Sequence, residues 1–594
     1  MNTIPHKTDP SHGGVRGDDF DRRSSQAEGR FGRMFRSLPP AAWSEDALKK
    51  LAGTGRVLVE GAIETPGMVS PPEVDETHRK LPFAPPEDPK KRLQDDEENS
   101  GIDAGYTYLG QFIDHDITFD PASSLQKRND VNALVDFRTP QLDLDSVYGG
   151  GPNDQPYMYQ GRDRHGNVRL FQLGRKLTEG KGGKHIGDDL PRHTWTDPNG
   201  KTYHRALIGD KRNDENVIIS QLHGVFLKFH NRFATDNPDM DFGEVQRHVR
   251  WHYQYVILHD FLYKIARKDV IESVLPHFVE GSIFDHPPKL RFYKPKHDAF
   301  MPIEFAAAAY RFGHSMVRPI YRLNTKLTGG NDPDTTDPNE KDRGIDGRQF
   351  IFAGLKDRGL NGFDEFPAEW GIDWNLFFDL TEDKDKRFGK ERTQPSYKID
   401  TSLVNPLAFL PEFSDVKATP PLDDIAKLQA TARKREIPNL ALRNLLRGMS
   451  MSLPSGQDVA QLMGLIPIKD EKLRVGKATN KADYEKSPTL VSLDSEFKNK
   501  APLWYYVLAE AQHEWNEKGG NEDGSSEKAP PIQLGEVGSR IIVETLVGML
   551  LDDGHSVLRE APAWTPSIGK GAKFDMPDFI KYAINDLKYP LKHS

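Results

Sequence analysis

The stretch Gly110-Gln111-Phe112-Ile113-Asp114-His115-Asp116 decides how this chain folds and what chemistry its interior holds. It places one histidine between two carboxylates, with a glutamine four residues before the histidine. On a helix that advances about 100° per residue, Gln111 and His115 share a face, whereas Asp114 and Asp116 point in widely different directions. One short helix can therefore present acid/base groups and a first carboxylate to a reaction pocket, while the second carboxylate turns away to hold a cation.

The composition limits the class of protein. The 594 residues include 80 basic and 89 acidic side chains, a net charge of −9, and the charges are interspersed, so nucleic acid is not an expected partner. There are no cysteines, which excludes disulfides, thiolate-ligated iron, iron–sulfur clusters and haem attached through Cys-x-x-Cys-His.

Targeting signals are also missing from the printed sequence. The first 29 residues lack the apolar core of a secretory signal, and the most apolar late segment, 541–551, contains Glu544 and is too short to cross a bilayer. We therefore expect a cytoplasmic protein with no membrane span, although export by a route that needs no cleavable signal stays open. The oligomeric state is not predicted.

Helical periodicity dominates the chain, so we predict a mainly α fold, a large helical domain with long loops and little β structure. The clearest helix begins near Asp214 and runs to Ala234, with apolar side chains at helical spacing. Further helices are predicted over 304–317, 440–451 and 538–551, and the Gly-rich segment from Gly149 to about Tyr203 is predicted to be a surface loop. Residues 1–60 are predicted to form an N-terminal arm, and residues 61–594 one catalytic domain.

Three further segments carry polar side chains that could belong to an active site. Arg212 and Glu215 lie three residues apart, and an arginine can stabilise negative charge that develops on an oxygen. His314 ends an apolar segment whose small alanines let a flat, bulky group approach, so its imidazole could bind iron. Asn444 could accept the second N–H of a metal-bound imidazole, while Arg447 could pair with a carboxylate. Read alone, each segment favours an ordinary alternative: a helix N-terminus, a satisfied core histidine or a solvated helix face.

The segment Thr139-Pro140-Gln141-Leu142-Asp143-Leu144-Asp145 carries an oxygen-bearing side chain at every second position. An extended backbone would turn these side chains to one side. Together with Asp116 they would make an oxygen cage for calcium, a hard cation that takes about six to eight such ligands. Read alone, the segment favours a solvated loop.

The order of these pieces resembles the animal-type haem peroxidases of the peroxidase–cyclooxygenase superfamily. The chain contains, in this order, Gln-Phe-Ile-Asp-His-Asp; the Thr-to-Asp loop followed by Val147-Tyr148-Gly149; Gly-Asp-x-Arg-x-x-Glu with His230-Asn231-Arg232 downstream; Arg-Phe-Gly-His; and Asn-x-x-Arg with Leu453-Pro454. Five motifs in one order, over roughly residues 100 to 465, are far more specific than any one of them. The missing cysteines, glycosylation acceptors and signal sequence, with the long N-terminal arm, indicate a bacterial member.

The resemblance implies a role for each matching residue near the iron. His115 matches the distal acid/base, Arg212 the distal arginine, and Gln111 the residue that positions water or halide over the iron. His314 matches the proximal iron ligand, and Asn444 matches the residue that orients it by a hydrogen bond.

The resemblance also implies two cofactors, haem b and calcium. Asp114 and Glu215 match the carboxylates that form ester bonds to haem methyl groups, and Arg311 and Arg447 match positions near the haem propionates. The implied calcium ligands are Asp116, Thr139, Gln141 through its carbonyl, Asp143 and Asp145. The family usually has a serine where this chain has Asp145, and a methionine that forms a sulfonium link in some members is here Asn216.

The implied activity is that of a haem-dependent peroxidase, which reduces hydrogen peroxide and oxidises a halide, thiocyanate or small phenol through an oxyferryl intermediate. A fatty-acid dioxygenase on the same scaffold would carry a tyrosine three residues before the proximal histidine, where this chain has Arg311, with Tyr310 one residue earlier. A non-catalytic haem- or calcium-binding adhesion protein is a third alternative, suggested by Arg16-Gly17-Asp18, a tripeptide that arises easily by chance. The peroxidase is favoured.

Overall fold

The computed structural model describes residues 29–53, 67–69, 99–119, 135–161, 170–295, 298–327, 348–352, 359–381, 393–408, 410, 437, 439–478, 481–520 and 531–584. Helices dominate these residues and strands are few and short, so the predicted mainly α class is confirmed. The Arg16-Gly17-Asp18 tripeptide lies outside the described residues. No helix within the described ranges is long and apolar enough to cross a membrane.

The helices are α1 (Glu45–Ala52), α2 (Gly105–Ile117), α3 (Asp145–Tyr148), α4 (Gly151–Asp154), α5 (Val217–Asp236), α6 (Phe242–Val256), α7 (Leu262–Ile265), α8 (Lys268–Val274), α9 (His277–Glu280), α10 (Ile303–Ala306), α11 (Leu440–Ser450), α12 (Gly456–Leu462), α13 (Lys481–Lys486), α14 (Leu490–Leu493), α15 (Leu503–Glu517), α16 (Glu536–Asp552), α17 (Val557–Glu560) and α18 (Met576–Ala583). A π-helical turn, Ile257–Phe261, joins α6 to α7. Short 3-10 helices include Lys211–Asp214 and Ala309–His314.

The strands are β1 (Gly29–Gly32), β2 (Val135–Asp136), β3 (Lys176–Thr178), β4 (His185–Asp188), β5 (Arg192–Thr196), β6 (Thr202–Ala206), β7 (Met301–Pro302), β8 (Ile320–Arg322) and β9 (Arg348–Phe350). They form one three-stranded sheet in the order β2-β1-β7, antiparallel and then parallel, and three two-stranded antiparallel sheets.

Helix α2 carries the motif that opened the sequence analysis, and it lies in the centre of the core. Its apolar face packs on α5, where Phe112 stacks on Phe226 with ring centroids 4.2 Å apart. The first residue of α2 is Gly105, and no larger residue fits there because a Cβ would lie 2.2 Å from the ring of Phe378. Phe112 and its apolar neighbours are buried, so the polar positions Gln111 and Asp114 are left on the other side of the helix.

The helix predicted to begin near Asp214 begins instead at Val217. Asn216 caps α5 by accepting hydrogen bonds from the backbone N–H groups of Ile218 and Ile219. The residues before this cap form the separate 3-10 helix Lys211–Asp214, capped by Asp210. The motif that contains Arg212 is therefore a tight turn that faces α2, not the first turn of a long helix.

Two predictions of local structure were wrong. The segment 304–317 is not one helix: α10 ends at Ala306, the backbone breaks at Ala308 (φ −138°, ψ −80°), and a 3-10 helix follows. Arg311 stabilises the break because its Nε donates to the freed carbonyl of Ala306 at 2.8 Å. The predicted loop 149–203 contains strands β3 to β6, of which β5 and β6 are held by cross-strand pairs such as Trp195 stacked on Tyr203 at 4.9 Å.

Residues 29–53 are joined closely to the rest of the core. Strand β1 is the central strand of its sheet, and the buried carboxylate of Glu304 accepts the backbone N–H groups of Met34 and Phe35 at 3.0 and 3.3 Å. Arg33 donates to the carbonyls of Met451 and Ser452, which directly follow α11. This segment thus binds the start of α10 and the end of α11 together. The division of the chain at residue 60 stays a prediction.

Candidate active site

His115, on α2, stands at the centre of the first half of the site. It is 4% exposed, its Nδ1 lies 2.8 Å from Asn213 Oδ1, and its Nε2 lies 3.7 Å from a carboxylate oxygen of Glu215. Gln111, one helical turn earlier, hydrogen-bonds to the same carboxylate. The structure therefore brings together Gln111, His115 and Glu215, three residues that the sequence placed in one pocket.

The imidazole of His115 is neutral at ordinary pH. Burial, and after it the positive charge of Arg212, lowers the pKa of His115 to about 3. A neutral ring that donates through Nδ1 has a lone pair at Nε2, which can accept a proton. The ring of His115 can therefore accept a proton on the side of Nε2.

Arg212 is fixed beside His115 by several acceptors. Its Nη2 donates to the backbone carbonyls of His115 and Thr118 at 3.0 and 2.5 Å, and it pairs with Asp210 at 2.8 Å. The guanidinium also lies over the ring of Phe119, 4.7 Å from its centroid. Burial would raise the pKa of Asp210, but the charge and hydrogen bonds of Arg212, together with the charge of Arg138, hold that pKa below the ordinary value, so the pair stays ionised.

Arg138 links this pair to the calcium motif, and the sequence analysis missed it. Its Nη2 lies 2.5 Å from Asp210 Oδ2, and its Nη1 lies 3.2 Å from Asp145 Oδ2. One partly buried arginine thus bridges the carboxylate that holds Arg212 and a carboxylate of the predicted calcium loop, residues 139–145. The only local signal in the sequence is its position directly before Thr139.

His314 and Asn444 form the second half of the site. Asn444 Nδ2 lies 2.7 Å from His314 Nδ1, and Asn444 Oδ1 accepts from Arg311 Nη1 at 3.0 Å. Because a guanidinium can only donate, the amide oxygen must face Arg311, and the amide N–H therefore points to His314. The prediction that the amide oxygen of Asn444 faces His314 is therefore wrong. Arg311, which also donates to the carbonyl of Ala306, occupies that oxygen.

The 3-10 geometry explains this grouping of Arg311 with His314. With three residues per turn, side chains three apart are aligned, so both reach Asn444 from one face of the turn. Burial, and after it the charge of Arg311, lowers the pKa of His314 to about 3, so this imidazole is neutral too. Arg447 lies one turn after Asn444 on α11.

The two halves face each other. Helix α2 packs against the turn that carries His314. Burial raises the pKa of Asp114, and the charges of Arg212 from one half and Arg311 from the other offset part of that rise. A Cβ added to Gly313 would meet nothing within 4 Å, which means open space beside His314.

The predicted calcium residues also lie together. Asp116, Asp143 and Asp145 are buried, and each offers a carboxylate oxygen within 4.8 Å of the others. Burial, followed by the charges of the other two carboxylates, raises the pKa of Asp116 well above its usual value. Thr139 donates to Asp143 at 2.8 Å, and Gln141 is buried in the same loop. Three buried carboxylates of like charge are an arrangement that a hard divalent cation would stabilise.

Comparisons with known proteins agree with these motifs. Residues 123–343 match the family model described as animal haem peroxidase. "Heme peroxidase 2" of Caenorhabditis elegans is 25% identical over 278 residues, which are 38% of this chain and 37% of that protein. "Thyroid peroxidase" of Rattus norvegicus is 25% identical over 221 residues, 36% of this chain and 22% of that protein. The matched part thus spans well under half the length of these relatives.

A solved structure with a similar chain path is peroxidase A from Dictyostelium discoideum. It is 13% identical in sequence, covers 98% of this chain and 95% of its own, and superposes with a TM-score of 0.49. The structure of Oryza sativa fatty acid alpha-dioxygenase is 14% identical, covers 83% of this chain and 74% of its own, and has a TM-score of 0.45.

Proposed function

We propose that this chain is a haem-dependent peroxidase that reduces hydrogen peroxide and oxidises a halide, thiocyanate or small phenol; the match of residues 123–343 to the family model described as animal haem peroxidase supports this proposal. The observation that carries the proposal is the pair of neutral imidazoles, the buried His115 and the partly exposed His314, each anchored through Nδ1 by an asparagine on facing elements of one site.

The residues present fit a haem group. The neutral ring of His314 would bind iron through Nε2 once its proton has moved to Nδ1, and the open space beside Gly313 leaves room for a flat group to approach at that point. Arg311 and Arg447 would pair with the propionates, and Asp114 and Glu215 would face the haem edge as the ester-forming carboxylates. His314 would hold the iron, with Asn444 as its orienting partner.

The chain's own groups divide the work of peroxide cleavage. Bound haem supplies the iron that takes up peroxide and the oxidising equivalents that pass to the donor. His115 Nε2 takes a proton from the near oxygen of peroxide and returns it to the far oxygen, while Arg212 stabilises charge on the departing oxygen. Gln111, held by Glu215, would position water or halide on the same side.

Calcium would support this side of the site from behind α2. Asp116, Thr139, the Gln141 carbonyl, Asp143 and Asp145 would hold it, and its charge would relieve the repulsion among the three carboxylates. Since Asp116 directly follows His115, the ion would fix the end of the helix that carries the base.

The test is a substitution of His115 followed by stopped-flow mixing with peroxide. The haem-loaded His115→Ala protein should react with peroxide at least about a hundredfold more slowly than the wild type, because the general base is lost. His185→Ala is the matched control, since His185 also pairs with a carboxylate, Asp188, but lies on β4. It should react at the wild-type rate.

Two results would contradict the proposal. Rapid reaction of His115→Ala with peroxide would remove the assigned base. A protein with a Soret band that oxidises neither guaiacol nor bromide, but consumes oxygen with a polyunsaturated fatty acid, would be a dioxygenase.

A further inference from the structure

The carboxamide of Asn213 lies between two buried histidine rings. Its Oδ1 is 2.8 Å from His115 Nδ1, and its Nδ2 is 3.0 Å from His223 Nδ1. Asn213 and His223 are 0% exposed and His115 is 4% exposed, so water does not compete for these contacts. The sequence analysis gave no role to Asn213, although it lies within the motif Gly-Asp-x-Arg-x-x-Glu.

The two ends of an amide have opposite hydrogen-bonding character. The oxygen only accepts, so the His115 nitrogen that faces it must carry a proton. A neutral imidazole carries one proton, and with that proton on Nδ1 the lone pair is on Nε2, the atom that faces Glu215. Rotating the amide by half a turn would reverse this, place the proton on Nε2 and leave His115 unable to accept another proton there.

His223 is the second partner of this amide. It sits on α5, and burial lowers its pKa to about 3, so the ring is neutral; with the amide oxygen toward His115, its Nδ1 accepts the Asn213 N–H. Its Nε2 is buried and has no hydrogen-bond partner within the described part of the chain. Because both ring nitrogens that face Asn213 depend on one amide, the tautomers of His115 and His223 change together or not at all.

We propose that Asn213, supported by His223, is the positioning residue that fixes His115 in the tautomer with its lone pair on Nε2. This inference rests on the proposed function of His115 as the acid/base. Asn213 touches neither peroxide nor donor and acts only through the histidine ring. No family motif quoted above assigns this position, which lies between the arginine and the glutamate of Gly-Asp-x-Arg-x-x-Glu.

The test compares two replacements of similar size. Asn213→Asp keeps an acceptor oxygen for His115 Nδ1, whereas Asn213→Leu removes it. The readout apart from turnover is the association rate of hydrogen cyanide with the haem-loaded ferric protein, because His115 Nε2 would take up the proton that hydrogen cyanide loses when it binds. Asn213→Leu should slow cyanide association and the peroxide reaction by about 10- to 100-fold, and Asn213→Asp should restore both to within about threefold of wild type.

A merely structural role for Asn213 predicts a different pattern from the one proposed here. If Asn213 acts only on the tautomer of His115, the Soret band, which reports haem binding at His314, should be unchanged in both variants. Wild-type rates in Asn213→Leu, or equal loss in Asn213→Leu and Asn213→Asp, would overturn the proposal. If His115→Ala itself leaves the cyanide rate unchanged, the assignment of His115 fails, and that failure is distinct from a failure of Asn213.

A second measurement covers the case in which Asn213→Leu does not fold. Ring-nitrogen NMR shifts of the wild-type chain, with isotope-labelled histidine and assigned by comparison with His115→Ala, report which nitrogen of His115 is protonated. A proton on Nδ1 supports the proposal, and a proton on Nε2 overturns it.

Discussion

Two asparagines hold the two imidazoles of the candidate site, and they present opposite ends to them. Asn213 gives its oxygen to His115, whereas Asn444 gives its N–H to His314, because Arg311 occupies the oxygen of Asn444. In this arrangement the proton of His314 lies on Nε2, the atom that would bind iron. For Nε2 to bind iron, the proton would have to move to Nδ1, and the amide of Asn444 would have to turn its oxygen toward that N–H.

We predict that Asn444→Leu lowers the affinity for haem about 10- to 100-fold, because His314 loses the group that orients its ring. Haem titration followed by the Soret band measures this change. Asn439→Asp, which keeps a side-chain cap at the start of α11, is the control and should bind haem as the wild type does. Unchanged affinity in Asn444→Leu would show that the amide does not act on His314.

The sequence predicted the residues of the site better than it predicted their partners. Gln111, His115 and Glu215 follow from helical spacing and an ordered set of motifs, and they do lie together. Asn213 was not found because its contact to His115 joins residues 98 positions apart, and no local periodicity encodes such a contact. Arg138 was missed for the same reason: its partner Asp210 is 72 residues away.

At the scale of elements, the differences from prediction have a physical cause in backbone hydrogen bonding. Alanine-rich sequence predicted a continuous helix over 304–317, but propensity is a weak determinant where side chains offer alternative partners. Arg311 satisfies the carbonyl of Ala306 and so allows α10 to end. The resulting 3-10 turn aligns Arg311 with His314, an alignment that a regular helix would not give.

Arg138 joins the predicted calcium loop, residues 139–145, to the turn that carries Arg212. We predict that Arg138→Gln weakens this link. Loss of a buried charge partner should lower the free energy of unfolding in chelator by about 3–5 kcal/mol. Since Asp145 then loses a competing cation, the stabilisation gained on adding calcium should increase. Urea unfolding with and without calcium measures both changes.

Arg175→Gln is the matched control for Arg138→Gln. Arg175 also pairs with two carboxylates, Asp189 and Glu365, but its side chain is 36% exposed. Its loss should change the free energy of unfolding by less than about 1 kcal/mol and leave the effect of calcium unaltered. An equal calcium effect in wild type and Arg138→Gln would contradict a link through Arg138.

The N-terminal segment 29–53 acts as an element of the core, and Glu304 is its attachment point. We predict that Glu304→Leu lowers the free energy of unfolding by about 2–4 kcal/mol, because the N–H groups of Met34 and Phe35 lose their acceptor. Glu304→Gln, which keeps one oxygen, should lose about half as much. Equilibrium denaturation measures both, and equal stability of the two variants would contradict the role given to the carboxylate.

At the scale of the whole molecule, one continuous core joins distant parts of the chain, and buried carboxylates fasten segments to it. Glu304 holds residues near the N-terminal end of the described chain, and Glu544 on α16 accepts the N–H groups of Arg291, Phe292 and Tyr293. Glu510 on α15 holds the first turn of α16 in the same manner. Each carboxylate replaces water as the acceptor for backbone groups that secondary structure leaves unpaired.

Glu510 makes the stability of this assembly depend on pH. Burial, and after it the charge of Glu514, raises the pKa of Glu510 from 4.5 to about 8. A carboxyl whose pKa is higher in the folded chain than in the unfolded chain stabilises the folded state. This stabilisation is complete below the unfolded-state pKa and is lost as the pH rises through about 8. The free energy of unfolding of Glu510→Gln should therefore be similar to that of the wild type near pH 4.5. Near pH 9 the variant should be the more stable of the two, by roughly a few kcal/mol. Urea unfolding of both proteins across this range measures the difference, and a difference that stays constant with pH would show that Glu510 keeps an ordinary pKa in the folded chain.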